Sequence, residues 1–387
     1  MRRFGMFLFA MLPLLVAHAV MAEGSSVAVG TCKPRLSSFA TIQAAVSKVA
    51  PGTTILVCPG VYAEQITISQ PLTLQGIADN NVDQITITVP TGGLAANVNS
   101  MFGQSVAAQV LIQNAAPVNI VNIAVDGTGG GDQGCPTTWL AGIFYSSGSS
   151  GSVNRVKASG QISAGCGVGI WAENASSSNQ FVSIQGSSVH DIDNAGIFAG
   201  SGTTPTLNVL MKDNFISMPA AGVVLNSVTG QVTNNDVSNA LGGILDLAPG
   251  ARISSNNLTS SSIGVFLAAG GTVDSNHITN SGIGVLTGGG GNVQSNRITV
   301  ATIGIEFLCS TSTAANNTIN DATTGLDLVP ATFKGRNTFA NTAEISTGGC
   351  PAAAAQTSTQ SVFQRMTRSG LSPSKWRTPA NPLGLRP

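Results

Sequence analysis

The sequence predicts an all-β repeat fold, a single-stranded right-handed parallel β-helix solenoid with an N-terminal capping helix. Three observations carry this. Asparagine recurs at Asn214, Asn235, Asn256, Asn276, Asn296, Asn317 and Asn337, in steps of 20 or 21 residues. An apolar side chain follows each two positions later: Ile216, Val237, Leu258, Ile278, Ile298, Ile319 and Phe339. Glycine follows the first six eight positions later and opens a short apolar strand, as in Gly264-Val265-Phe266-Leu267. Such a period marks a stack in which no unit can bury its own apolar face alone. The unit is too short for a strand plus a crossover helix, but it holds three short strands wound as one coil. Coils of roughly 24 residues, stacked about 4.8 Å apart, would number about 12 and form a rod on the order of 58 Å long.

Composition agrees. Of 387 residues only 9% are charged and 5% aromatic, while 46 are glycine. Long amphipathic helices need more Glu, Lys and Arg than this. The abundance of Gly, Asn, Ser, Thr and Val suits short strands and tight turns. The 42% hydrophobic content argues against wholesale disorder.

Taken in chain order, residues 1–22 read as a secretory signal. Arg2 and Arg3 precede the apolar stretch Phe4 to Val16, which is too short to span a bilayer, and Val20-Met21-Ala22 offers a small-residue cleavage site. No integral membrane segment is expected after its removal, and the expected location is secreted or periplasmic. The body then runs from 23 to 350, with its cap at about 23–53. Ile42, Val46 and Val49 fall on one face of a helix predicted over Phe39 to Ala50, which Pro51-Gly52 ends. A stack needs such a cap to keep its open end from pairing with other chains. Strands are predicted at Thr54 to Val57, Glu64 to Ile68 and Leu72 to Leu74. In the ladder, Asn suits left-handed backbone geometry, and its amide can bond to copies above and below.

The middle coils are wider. Gly142, Gly169, Gly196 and Gly222 are spaced by 26 or 27 residues. The extra residues are rich in Gly, Ser and Thr, at 128–134, 146–151, 174–179 and 200–205. Insertions in a solenoid usually become loops on one face, often the binding face. Residues 351–387 lack the repeat and are predicted to be a disordered basic tail, with five basic side chains and no acid. Leader and tail thus hold seven of the 17 basic residues, so residues 23–350 carry 10 against 17 acidic, a net of −7. An acidic body argues against nucleic acid as a partner.

Six cysteines follow the leader, and none forms a C-x-x-C pair, so zinc is not expected. An even number in an exported chain suggests disulfides. Sequence neighbours suggest Cys32–Cys58, Cys135–Cys166 and Cys309–Cys350, among 15 pairings that six cysteines allow. Cys309 and Cys350 share a phase two coils apart, so their pairing requires an irregular last coil.

Two stretches, Thr41-Ile42-Gln43-Ala44-Ala45-Val46 and Pro59-Gly60-Val61-Tyr62-Ala63-Glu64, together with the later N-x-I…G-I-x-L units, resemble the right-handed parallel β-helix proteins of the pectate-lyase-like superfamily. The resemblance covers residues 38 to about 347. It implies an entry coil like that of pectin methylesterases and of exported β-helix proteins. It also implies carbohydrate as the partner, without supplying a mechanism. The G-H-G stretch of polygalacturonases is missing. So are the Q-D-T-L, D-F-I-F-G and L-G-R-P-W stretches of pectin methylesterases. The D-P-H-D motif of alginate epimerases has only Val189-His190-Asp191-Ile192-Asp193 as its nearest counterpart.

Three groups of residues are candidates for chemistry. His190, Asp191 and Asp193 form a compact titratable cluster. The imidazole can act as a general base, and the acids can orient a sugar or bind Ca²⁺, although no calcium motif is present and no cofactor or metal is expected. The bland alternative is a turn whose aspartates hold backbone N–H groups. Trp139, Tyr145 and Trp171 are suited either to stacking on sugar rings in a groove or to filling the wider coils as core. Glu173 and Asp126 are two scattered acids nearby. Arg155 and Lys157, read as alternating on one strand and facing the same side, would contact acidic sugars, with Lys212 further on. The function read from these is an exported protein that binds polysaccharide, with its processing left open. The alternatives are a non-catalytic structural or surface protein, and a polyuronate lyase or epimerase.

Overall fold

A computed structural model describes residues 25–77, 81–131, 135–202, 204, 206–217, 220–248, 250–308, 311–327 and 335–346. The leader, the tail, and Cys309 and Cys350 with their expected bridge lie outside the described residues. From Thr53 to Asp327, each coil contributes one strand to each of three faces. The first face is a 13-stranded sheet that includes Thr229–Thr233, Ala251–Ser254, Gly271–Asp274 and Gly291–Gln294. The second face holds three-residue strands such as Asp236–Ser238 and Asn257–Thr259. The third holds Gly242–Asp246 and Ile263–Leu267. In the later coils the second and third strands run together, as in His277–Thr287 and Arg297–Phe307, which joins two faces into one 22-stranded sheet.

The repeat period sets the register. Val237 pairs with Leu258, Leu258 with Ile278, and Ile278 with Ile298, each one coil on. These side chains enter one continuous apolar core with Val232, Ile253, Val265 and Val285. Among the described residues stacking is parallel, apart from one short antiparallel pair at Val98–Asn99.

The asparagine ladder is present. Each amide Nδ2 donates to the Oδ1 of the next ladder residue at 2.8 or 2.9 Å, from Asn214 through to Asn337. Each Oδ1 from Asn235 onward also accepts the backbone N–H of the asparagine before it, as Asn256 does from Asn235 at 2.9 Å. Ser187 begins the line: its N–H donates to Asn214 Oδ1. The expected left-handed geometry belongs to the residue before each ladder asparagine. Asp213, Asn234, Ser255, Ser275, Ser295 and Asn316 all have φ between 55° and 58°. The ladder residue itself turns its amide into the corner.

A second left-handed corner follows four residues after the ladder, at Asn239, Ser260, Asn280, Val300, Asp321 and Asn341. Valine is the odd member, since a β-branched side chain crowds the backbone at φ 54° and Val300 is 50% exposed, so nothing offsets the strain. Val300→Asn is therefore expected to stabilise the domain by about 1 kcal/mol. A thermal midpoint that fails to rise would refute this.

Glycine after the second face is required by close approach. A Cβ on Gly264 would sit 2.6 Å from the carbonyl oxygen of Gly284, and one on Gly284 2.5 Å from that of Gly304. No side chain can be carried there without moving backbone.

The predicted twelve-residue helix is shorter than expected, spanning Ile42–Val46. Thr41 caps it by accepting the Ala44 N–H. Glu64 accepts the N–H groups of Ile42 and Gln43 at 2.9 and 2.8 Å. Gln70 donates to the carbonyls of Val46 and Val49 at its other end. Ile42, Ala45 and Val46 enter the core of the first coil. The edge of the first sheet is formed by Ser38–Phe39 rather than by the helix, because this strand pairs with Ser26–Val29 beyond Thr53–Val57. The predicted strand Glu64 to Ile68 is also corrected. The strands are Gly60–Ala63 and Ile66–Ile68, and Glu64 lies in the corner between them, where it can reach the helix.

Two expected disulfides are present. Cys32–Cys58 and Cys135–Cys166 have Cα atoms 5.7 and 5.8 Å apart.

Candidate functional site

The wide coils from about 126 to 217 hold the residues singled out by sequence, and the structure separates them onto different faces. Strands Thr138–Tyr145 and Gly167–Asn174 belong to the third face. The expectation that Trp139, Tyr145 and Trp171 line a groove is corrected: all three are buried. Tyr145 points inward, and its hydroxyl donates to the carbonyls of Val118 and Ser152. Burial pushes its phenol well above the ordinary tyrosine range.

Trp139 and Trp171 point away from the core into a second apolar cluster with Phe144 and Phe198. Ring centroids lie 6.0 Å apart for Trp139–Trp171, 4.9 Å for Phe144–Trp171 and 5.4 Å for Trp171–Phe198. A long segment between Thr88 and Ser105 folds back over them. Its strand Val98–Asn99 pairs antiparallel with Ser105 and Val106, and Phe102 stacks edge-on against Phe198 at 5.8 Å. The side-chain amide of Asn97 bonds in both directions to Ala108, which fixes the segment in place.

Glu173 lies beneath this cover. Its Oε1 accepts the Met101 N–H at 2.9 Å. Burial pushes its carboxyl up to about 8, against the opposing effects of that N–H and the Trp171 side chain. Glu173 thus anchors the covering segment from a buried position that favours its neutral form.

The titratable cluster divides in two. Asp193 accepts the backbone N–H groups of Ser163, Gly165 and Gly167, each at 2.7 Å, and so holds the 160–167 loop of the preceding coil. This is the structural role that the residue type also allowed, exerted on a neighbouring coil. His190 and Asp191 remain at the surface. The imidazole Nδ1 lies 2.7 Å from Asp191 Oδ2, and Asp191 occupies a left-handed corner with φ 54°.

Arg155 and Lys157 do not share a strand. Arg155 is an exposed corner residue with φ 50°, and Lys157 starts the next strand, Lys157–Ser159. The chain turns between them, so they leave in different directions. Lys157 Nζ pairs with Asp83 at 2.9 Å, and Asp126 Oδ1 accepts the Thr128 N–H. Lys212 ends a first-face strand, and its Nζ lies 3.5 Å from the Asp213 carboxylate.

The aromatic rings that reach solvent are others. Phe215 on the second face is 51% exposed, and Phe181 on the first face 46%. Phe215 pairs with Ser188 on one side and Asp236 on the other. His190 pairs with Ser217, which places it diagonal to Phe215 on the adjoining strand. Asp126, Ser159, His190 and Ser217 then form one outward column, continued by Ser238, Thr259 and Thr279. A sequence signal for Phe215 exists. The position after each ladder asparagine is polar in the other coils (Asp236, Asn257, His277, Arg297, Thr318, Thr338) and aromatic only here. Among the described residues, no group of three or more His, Cys, Asp and Glu side chains is arranged to hold a metal ion.

No family model and no curated protein matches the chain. Solved structures similar to it include a family 28 exopolygalacturonase from Yersinia enterocolitica, at 11% identity over 86% of this chain and 80% of that one, with a TM-score of 0.49. The GH136 lacto-N-biosidase from Eubacterium ramulus matches at 11% identity over 81% of this chain, with a TM-score of 0.48, and the chain spans 64% of that enzyme's length. PfbA, a surface adhesin of Streptococcus pneumoniae, matches at 14% identity over 82% of this chain and 91% of that one, with a TM-score of 0.44. Strand order, register and the side-chain ladder make this chain a right-handed parallel β-helix.

Proposed function

We propose that this is an exported β-helix protein that binds polysaccharide on the second face of its wide coils. The observation that carries the reading is Phe215, a solvent-exposed ring set in a surface of hydroxyl, imidazole and carboxylate groups. Sugar rings present C–H faces that pack on an aromatic plane, and their hydroxyls bond to side chains such as Ser188, Ser217, His190 and Asp191. Successive coils rise by about 4.8 Å, close to the length of one pyranose unit in an extended chain, so a polymer lying along the axis would meet one coil per sugar. Disulfides in the chain suit an oxidising compartment outside the cytoplasm.

Binding without turnover is the form of this function that the side chains support best. His190 and Asp191 provide a general-base pair. A polyuronate lyase or epimerase also needs cationic groups on the sugar carboxylate. Lys157 is paired with Asp83, and Arg155 leaves from the far corner of its coil.

Isothermal titration against neutral and uronate-containing polysaccharides tests the proposal. Phe215→Ala is expected to weaken binding about tenfold, equivalent to roughly 1.4 kcal/mol, with the fold intact. His190→Ala is expected to weaken it less. Trp139→Ala with Trp171→Ala is expected to lower the unfolding midpoint, because those rings are packed. Unchanged affinity in Phe215→Ala, for a glycan that the native chain binds, would overturn the placement.

A further inference from the structure

On the second face, Phe215 and Asp236 stand at equivalent positions of neighbouring strands, Phe215–Ser217 and Asp236–Ser238. The residues that follow them, Ile216 and Val237, enter the core. Alternation therefore sends the ring and the carboxylate outward together, one coil apart, or about 4.8 Å. Phe215 is exposed and Asp236 half-buried.

The charges near this pair are largely taken up. Among the described residues the ion pairs are Lys157–Asp83, His190–Asp191, Lys212–Asp213 and Arg252–Asp274. Asp236 belongs to none of them. Lys157 stands two coils before Phe215 in the same outward column, and Arg155 at a corner of that earlier coil. Beyond Asp236, His277 and Arg297 follow two and three coils on, about 10 and 14 Å away. Asp236 is thus an uncompensated carboxylate beside an exposed ring, on a body where residues 23–350 carry a net charge of −7. An aromatic face and a carboxylate at this spacing are the two halves of a site for an organic cation. The ring attracts an ammonium through its π face, and the carboxylate pairs with it through charge-assisted hydrogen bonds. A uronate would instead bring a second carboxylate against Asp236, which is repulsive.

We propose that the second face selects a polysaccharide bearing free amino groups, with one amino sugar packed on Phe215 and its ammonium paired with Asp236. This rests on the reading of the face as a polysaccharide site and names the class of sugar it takes. The dimensions agree. An amino group attached directly to a pyranose ring lies within one sugar length of that ring's C–H face, and one coil rise separates Phe215 from Asp236.

Isothermal titration of the full mature chain with glucosamine oligomers, and with N-acetylglucosamine and galacturonate oligomers of the same length, tests this. The measurements are made at one pH that keeps the amines protonated. The glucosamine oligomer is expected to bind about fivefold more tightly than its acetylated counterpart, as one exposed ion pair allows, and the galacturonate oligomer most weakly. Asp236→Asn should abolish the preference while leaving affinity for the acetylated oligomer and the circular dichroism unchanged. Raised salt should shrink it, because the pair is open to solvent. Equal affinity for the two glucosamine forms would overturn the inference. So would a preference that survives Asp236→Asn, which would mark diffuse attraction to an acidic body, or tighter binding of the galacturonate. The polysaccharide reading is scored separately: a loss of affinity for the acetylated oligomer in Phe215→Ala would leave it standing even where the amine preference fails. Binding of none of these oligomers would overturn the amino-sugar inference, and the wider glycan panel would then decide the reading beneath it.

Discussion

Asn256→Ala is expected to lower the stability of the domain by roughly 3–5 kcal/mol. Asn256 Oδ1 accepts both the N–H and the side-chain amide of Asn235, each at 2.9 Å. Its Nδ2 donates to the Val232 and Ser254 carbonyls and to Asn276 Oδ1. Alanine removes all of these at once, at a site 1% exposed where water cannot replace them. The groups left behind are buried donors and acceptors, whose desolvation is the larger part of the cost. Asn256→Asp is expected to be nearly as harmful, because it keeps the acceptors and loses the donors. The control is the adjacent Asn257→Ala: that side chain is exposed, and its loss should cost under about 0.5 kcal/mol. Urea unfolding of the three variants decides the matter. Equal losses at 256 and 257 would mean that the ladder contributes nothing specific.

Stability is expected to fall as pH rises from about 4 to about 8, and Asp246→Asn should remove part of that fall. Asp246 takes a core position, in register between Leu225 and Leu267, which both enter the apolar interior. Burial pushes its carboxyl from 3.8 up to about 8, only partly opposed by the Ala248 N–H. The folded chain therefore keeps this proton across a pH range in which the unfolded chain has released it. The folded state binds more protons there, so stability declines with rising pH and levels off above about 8. It is fully retained below the unfolded value. Glu173, also raised to about 8, adds a decline of the same sign. The amide introduced by Asp246→Asn is neutral at every pH, so the variant should gain on the native chain by roughly 2–4 kcal/mol at pH 8.5 relative to the comparison at pH 4. The comparison between pH values separates titration from any fixed cost of placing an amide in the core. Identical pH profiles for the two proteins would refute the assignment.

Much of this architecture was legible because a solenoid converts sequence period into spatial register. Residues one period apart are neighbours on adjacent strands, so the recurrence of Asn and Gly located the ladder, the glycine column and the core-facing positions Val237, Leu258 and Ile278. Pairing Cys32 with Cys58 and Cys135 with Cys166 was legible for the same reason, since near neighbours in the chain sit about one coil apart. The helix was overextended because helical spacing over Phe39 to Ala50 ignores Glu64 and Gln70, whose side chains fix its two ends from later in the chain.

What the period does not encode is which outward positions meet solvent. Trp139 and Trp171 have the outward phase that a binding groove requires, but a segment from earlier in the chain, around Val98 to Phe102, folds over them and makes them core. Corners were hidden in the same way. Arg155 and Lys157 alternate in sequence like residues of one strand, and only the turn at Arg155, with its left-handed backbone, sends them apart. Asp193 illustrates the third case: its three hydrogen bonds go to backbone 26 to 30 residues away, which no local pattern announces. The sequence by itself determined the coil, its ladder and its core, because those depend on contacts that repeat with the chain. Burial of the aromatic cluster and exposure of Phe215 were decided by the tertiary structure, because cover over a face comes from segments outside the repeat and follows no period.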